Sequence, residues 1–251
     1  MAKRKFAVVT AYFAESRSTI ERCIESVRSQ TIPVDHIMVA DGASQGWIDG
    51  KVTHHIRLDC SHGDYGNTPR AVGSTIAIAQ GYEAFSFLDA DNWLESYHFE
   101  YCLDIAAQGP YDLVIALRNF MRPDGSCMPV ADQNANVVDT NCFFFLPPVY
   151  YAVPRFGQVP KGLAGMGDVV FWQFLRSQPL RCVRTYRSSV NYLCMWEETY
   201  KAIGETPPQG SRSLYLTCKN ARKWLRGLTP AQVRVFSRMM GFDIRQVYFP
   251  A

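Results

Sequence analysis

The sequence lacks several features that would settle a function early. No two of its eight cysteines are spaced as C-x-x-C, and no cysteine–histidine cluster has zinc spacing. A structural zinc site and a thioredoxin-like redox pair are therefore not expected. The cysteines read as mostly free, mostly buried thiols in a reducing compartment. All five histidines, at 36, 54, 55, 62 and 98, lie in the first half, so no late histidine can serve as a metal ligand. No apolar run is long enough for a bilayer, and the most apolar window, CFFFLPPVYYAV, is interrupted by Pro147 and Pro148. The opening MAKRKFAVVTAYFAE has neither the long apolar stretch nor the small-residue cleavage site of a secretory leader. There is no internal repeat and no low-complexity segment. Net charge is only +3, too little to argue for a nucleic-acid partner. One absence is local: Thr206 to Phe242 contains no acidic residue, while Arg212, Lys219, Arg222, Lys223, Arg226, Arg234 and Arg238 are all basic.

What is present is a globular composition, 47% hydrophobic and 20% charged, in a chain of 251 residues that can bury a sizeable core. The first half alternates strand and helix patterns. FAVVTA (Phe6–Ala11) is a continuous apolar run, as a strand covered on both faces should be. Ser18 and Glu21 have capping-box spacing, and Ile20, Ile24 and Val27 follow at helical spacing. His36–Ala40 and His54–Leu58 read as further strands. TPRAVGSTIAIAQG has proline just inside a helix and Gly81 just past it. AFSFL, a helix over SYHFEYCLDIAAQG and the strand DLVIAL complete the alternation. This order predicts an α/β fold with a mainly parallel sheet and helices on both faces.

The second half is less regular. RPDGS reads as a hairpin tip, CFFFL as a strand, and GDVVFWQFLRS as a helix beginning near Asp168. RCVRTY and VNYLCM read as two short strands. In the tail, Leu214, Cys218, Ala221, Leu225 and Leu228 form a helical stripe. Thr229-Pro230-Ala231-Gln232 supplies a cap, a first-turn proline and a capping-box glutamine for a second helix ended by Gly241.

In an open parallel sheet, ligands bind beyond the carboxyl ends of the strands. The suspicious polar residues of the first half lie there: Thr10 and Tyr12, Asp41, and the pair Asp89 and Asp91. A charge pair at the end of a buried strand is costly unless something positive meets it. A strand-to-loop turn with a helix cap would be the plain explanation.

The combination VVTAYFAESRSTIERCIESVRSQTIPVDHIMVADGAS, GNTPRAVGSTIAIAQGYEAFSFLDAD and GMGDVVFWQFL resembles the family 2 glycosyltransferases of the GT-A fold, over residues 6–180. The resemblance implies a Rossmann-like, mainly parallel sheet. It implies a domain over 1–205, with a nucleotide-binding half (1–118) and an acceptor-side half (119–205), followed by a basic helical segment over 206–251. By the same resemblance Thr10, Ala11 and Tyr12 line the nucleobase and ribose, Asp41 accepts from the base, and Arg70 contacts the diphosphate. Asp89 and Asp91 form the DxD motif. Asp91 coordinates a divalent metal, Mn²⁺ or Mg²⁺, and Asp89 lies near the ribose or a metal-bound water. Asp168 is the general base. The implied reaction is a metal-dependent, inverting transfer of a sugar from a nucleotide-diphosphate donor, most simply a UDP-sugar, to a hydroxyl on a glycan or lipid-linked glycan.

The chain departs from the family pattern in three places. Ala40 replaces the first Asp of the usual Asp-Asp pair, Gly167 stands where a Glu usually precedes the base, and Glu15 aligns with the family's early Glu only through an insertion. The first two keep a non-catalytic nucleotide-sugar or glycan binding module as an alternative. A DxD phosphatase or phosphotransferase is a weaker one, since its nucleophile normally follows the first strand. Trp196, Glu197 and Glu198 are candidates for acceptor contact, and SHGDYGNTPR for a substrate loop or a plain connector. The basic tail reads as a solvated helix face or as a dock for an anionic membrane surface, at the inner face of a cytoplasmic membrane. Donor sugar, base, acceptor and oligomeric state stay open.

Overall fold

The computed structural model describes residues 5–132 and 136–250; Met1–Arg4, within the segment read for a leader, lie outside it. In chain order the strands are β1 (Phe6–Tyr12), β2 (Asp35–Asp41), β3 (His54–Leu58), β4 (Ala84–Phe87), β5 (Trp93–Leu94), β6 (Leu113–Met121), β7 (Phe143–Phe145) and β8 (Cys182–Leu193). They form one sheet in the order β3-β2-β1-β4-β7-β6-β8-β5. β3, β2, β1 and β4 run parallel, with Val9 opposite both Ile37 and Phe87. β7 then reverses direction against β4 and β6, whereas β6 and β8 are parallel.

The helices are α1 (Arg17–Arg28), α2 (Asn67–Ala79), α3 (His98–Ala106), α4 (Gly167–Arg176), α5 (Glu197–Ala202), α6 (Leu214–Arg226) and α7 (Pro230–Met240). Strand alternation sorts the core into two layers. Ala7, Val9, Phe85, Phe87, Phe143 and Phe145 pack with Ala77 of α2 and Phe171 of α4. Val8, Ala84 and Phe144 pack on the other face with Cys23 and Val27 of α1 and Phe99 and Cys102 of α3. Because both faces are covered, β1, β4 and β7 are buried at every position. That is why they read as unbroken apolar runs.

Two sequence expectations need correcting. The cap of α1 is Ser16, whose side chain accepts from the Thr19 N–H, while Glu21 pairs with exposed Arg17 instead of closing a box with Ser18. RCVRTY and VNYLCM belong to a single strand, β8, whose register against β6 slips between Arg184 and Ser188; Tyr186 stands out into solvent there. All eight cysteines are free, five of them buried.

The tail packs on the domain. Cys218 and Ala221 of α6, Met240 of α7 and Ile244 form a core with Leu163, Met166, Val169 and Val170. The Thr229–Gln232 capping box and the left-handed Gly241 frame α7 as the sequence predicts. No helix among the described residues is long and apolar enough to cross a membrane.

Candidate active site

The carboxyl ends of β1, β2 and β4 open onto one cavity of about 380 Å³. Ala11, Tyr12, Asp41, Arg70, Asp89, Asp91 and Asp168 all line it. Thr10 does not. It lies beneath, fully buried, with its hydroxyl bonded to His36 Nε2 at 2.8 Å. Two residues back from the strand's end, it is covered by β2 and by Cys23 of α1. Its expected contact with nucleobase and ribose is therefore not available. Burial pushes the pKa of His36 down to about 3, so the pair is neutral.

At the β1–β2 end, Tyr12 donates its hydroxyl to His55 Nε2 (2.7 Å) and accepts from the Gln45 N–H (3.0 Å). His55 Nδ1 in turn meets Asp49 at 2.7 Å, which also pairs with Arg57. Asp41 is buried, and its carboxylate accepts from the His62 backbone N–H (3.1 Å), His62 Nδ1 (2.7 Å) and the Ser61 hydroxyl (3.2 Å). Gly42, at φ +86°, makes this junction. A Cβ there would lie 2.4 Å from the Ser61 nitrogen, so the 60–62 segment can close onto Asp41 only over a glycine.

β4 ends at Phe87, and the chain turns so that the Asn92 N–H bonds the Asp89 carbonyl at 3.0 Å. This turn sends both aspartates into the cavity. Arg22 of α1 holds it by donating to the Asp91 carbonyl (2.8 Å) while its guanidinium lies 3.9 Å over the Trp93 ring. The two carboxylates have different surroundings. Asp89 accepts from Arg70, which is buried on α2, and from Asn141 Nδ2 at 3.1 Å. Among the described residues nothing donates a hydrogen bond to the Asp91 carboxylate. Asn141 also donates to Asp139 (2.6 Å), and Asp139 pairs with Arg118 at 2.8 Å.

Asp139 and Asn141 were not anticipated from sequence. β7 runs antiparallel to β4, with Phe85 opposite Phe145, so the residues just before β7 arrive beside the end of β4. The available signal was a polar Asp-Thr-Asn immediately ahead of the apolar CFFF run.

Asp168 is the second residue of α4 and accepts from the Val169 N–H at 2.8 Å. Desolvation, then Asp139, pushes its pKa up to about 7. Desolvation, then Asp89, does the same for Asp91, again to about 7. Asp139 is also raised, by burial. Asp89, Asp91, Asp139 and Asp168 thus share one region with buried Arg70 and with Arg118, which is partly buried. This excess of negative charge fits a divalent cation. No group of three or more histidine, cysteine, aspartate or glutamate side chains among the described residues is placed to hold a metal alone. Asp91 and Asp89 could supply the one or two carboxylates that a hard cation takes when phosphate oxygens and water complete its shell.

Trp196 lines the cavity under Arg212, whose guanidinium lies 4.6 Å over its ring. Glu198 does not line the cavity. It accepts from the Ser213 hydroxyl and from the Leu214 and Tyr215 N–H groups at the start of α6, which depress its pKa to about 2. Glu197 pairs with Lys201. Glu15, which aligned with the family only through an insertion, does line the cavity, and its carboxylate accepts from the Phe13 N–H at 2.7 Å.

The sheet order and the acidic cavity at its strand ends can be set beside known proteins. Residues 7–126 match the family described as Glycosyl transferase family 2, and this match supports a glycosyltransferase. No curated protein sequence matches the chain. The fold is similar to that of Staphylococcus aureus TarS. The structure of TarS 1–349 in complex with UDP aligns with a TM-score of 0.57 at 14% identity, covering 96% of this chain and 73% of that one. The UDP-GlcNAc complex gives 0.53 at 13%, covering 94% and 71%. A longer TarS structure gives 0.55 at 13%, covering 98% of this chain and 44% of that one. The fold expectation is met: this is the mixed α/β architecture of GT-A proteins.

Proposed function

We propose that the protein is a metal-dependent, inverting glycosyltransferase that moves a sugar from a UDP-sugar to a hydroxyl on a glycan or lipid-linked glycan. The observation that carries this reading is the site's charge arrangement: an Asp91 carboxylate without a hydrogen-bond donor among the described residues, beside an Asp89 carboxylate paired with Arg70 of α2. The UDP and UDP-GlcNAc complexes of TarS support UDP as the nucleotide.

In this reading Tyr12 and Asp41 face the nucleoside end, Arg70 faces the diphosphate, and Asp91, aided by Asp89, holds Mn²⁺ or Mg²⁺. A cation held there would supply neutralisation of the charge that builds on the departing diphosphate. Asp168 takes the proton of the acceptor hydroxyl. The acceptor oxygen bonds to the anomeric carbon, the bond from that carbon to the diphosphate oxygen breaks, and its electron pair leaves with UDP. Attack opposite the leaving group inverts the configuration. A carboxylate with a pKa near 7 suits a base that must be ionised yet still basic at neutral pH.

The partition into a 1–205 catalytic domain and a 206–251 basic segment belongs to the same reading. So does a cytoplasmic location with peripheral contact at an anionic membrane surface. Lys219, Lys223 and Arg226 of α6 are exposed beside exposed Tyr215 and Leu216, and such cations contribute about 1 kcal/mol each near an anionic surface. Sedimentation with acidic vesicles at low salt tests it; protein left in the supernatant argues against it. The central reading is tested by calorimetric titration with UDP and with uridine, each with and without Mn²⁺. Mn²⁺-dependent UDP binding, tighter than uridine, supports it; no UDP binding under either condition removes it.

A further inference from the structure

Tyr65 is the one non-glycine among the described residues with a left-handed backbone, at φ +59°. For a bulky L-residue this is a true outlier that costs about 1–2 kcal/mol, a cost glycine would not bear. Such strain persists only where the surroundings impose it, and it marks functional segments. The surroundings here do impose it. Gly63 and Gly66 flank the position at φ +59° and +81°. The Asp64 carboxylate accepts from the Thr68 N–H (2.9 Å) and hydroxyl (2.6 Å), and the Tyr65 carbonyl accepts from Arg70 Nη1 at 2.8 Å. Gly66 leaves no room for a side chain, since a Cβ there would lie 3.0 Å from Arg70 Nη1 and 3.1 Å from the Ala11 Cβ.

The ring gains little from this in packing. Tyr65 is 65% exposed, yet it borders the cavity. It stands over Gly165, whose Cβ position lies 3.5 Å from the ring and 3.5 Å from the Thr217 methyl of α6. Gly165 is three residues before Asp168. The loop's backbone therefore serves the Arg70–Asp89 pair, while its ring stands at the cavity rim over Gly165, on the segment that leads into Asp168. We propose that Tyr65 is the platform on which a pyranose ring of the acceptor stacks, presenting its hydroxyl to Asp168. The apolar C–H face of a pyranose matches an aromatic face, and the strained backbone holds that face in place before the ligand arrives. The assignment rests on the glycosyl-transfer reading, and it gives SHGDYGNTPR a substrate role where a plain connector was the alternative.

The experiment compares wild type, Tyr65→Gly and Tyr65→Phe. Glycine relieves the backbone and deletes the ring; phenylalanine keeps the ring. Saturation-transfer NMR is run on a panel of methyl α- and β-pyranosides, with and without UDP and Mn²⁺, alongside UDP titration and thermal unfolding. The expected result is that Tyr65→Gly unfolds no lower than wild type and binds UDP as wild type does. It loses about ten-fold of the pyranoside signal, the worth of one aromatic contact, while Tyr65→Phe retains that signal. An unchanged pyranoside signal in Tyr65→Gly overturns the proposal. So does a parallel loss of UDP affinity, which would put the ring on the nucleotide, or a wild type that contacts no pyranoside in the panel. Failure of the wild type to bind UDP removes the functional reading instead, and the UDP-free arm still decides Tyr65.

Discussion

Gly167, the first residue of α4, lies against Asn67, the first residue of α2, so closely that a Cβ at 167 would be 2.5 Å from Asn67 Oδ1. Asn67 is buried and donates to the Ala164 carbonyl at 3.3 Å, so it has little room to retreat. The missing Glu of the family pattern thus has a steric counterpart: the side chain of residue 67 fills the space. Gly167→Ala should destabilise the protein by about 1–3 kcal/mol through overpacking, and adding Asn67→Gly should recover most of that loss. Thermal unfolding of the two single variants and the double variant checks it. A Gly167→Ala protein as stable as wild type would mean the contact is loose.

Asp89 and Asp91 should fail differently when mutated. Asp89→Ala strips buried Arg70 of its carboxylate, a loss of about 3 kcal/mol by the usual cost of breaking a buried pair. Asp91→Ala breaks no hydrogen bond to its carboxylate and should unfold no lower than wild type, yet lose the Mn²⁺ dependence of UDP binding more completely. Denaturant unfolding and Mn²⁺ titrations separate the two effects. The reverse order would undo this division of roles.

The raised pKa values of Asp91 and Asp168 have a defined sign. Between the ordinary value of 3.8 and about 7 the folded protein keeps protons that the unfolded chain has released. These two groups therefore lower stability as pH rises through that window. Asp91→Asn removes one of them. Without metal it should raise the unfolding temperature at pH 8 by about 2–4 °C, the shift that ~1 kcal/mol produces at this size, and leave it unchanged at pH 4. An equal shift at both pH values would show that ionisation of Asp91 is not the cause.

Asp168→Asn keeps the shape and removes the base. Transfer should fall by about 100- to 10,000-fold while UDP affinity is retained. The wild-type rate should rise with pH through the neutral range as Asp168 ionises, and the residual rate of the variant should lack that limb. Rate measurements from pH 5.5 to 8.5 decide it.

Much of this arrangement was legible because buried strands announce themselves. β3 has the bounds its sequence suggested, and β1, β2 and β4 deliver their terminal residues to one cavity. Ala11, Tyr12, Asp41, Arg70, Asp89, Asp91 and Asp168 meet there because chemistry collects at strand carboxyl ends. Thr10 misses the cavity because residues two steps back from a strand end are already roofed by neighbouring elements. Asp139, Asn141 and Arg118 were not legible. They depend on the reversed direction of β7, and the pairing direction of a three-residue apolar strand leaves no mark on its own sequence. Glu198 was misread for a related reason: its partners, the free N–H groups of α6, lie sixteen and seventeen residues further along the chain.

The most direct test of the account is UDP release from a panel of UDP-sugars with Mn²⁺, comparing wild type with Asp168→Asn and Asp91→Ala. The account predicts turnover of at least one donor by the wild type, loss of transfer in Asp168→Asn with UDP still bound, and loss of Mn²⁺ dependence in Asp91→Ala. UDP binding without turnover of any donor, unchanged by either substitution, would contradict it and leave a binding module in place of an enzyme.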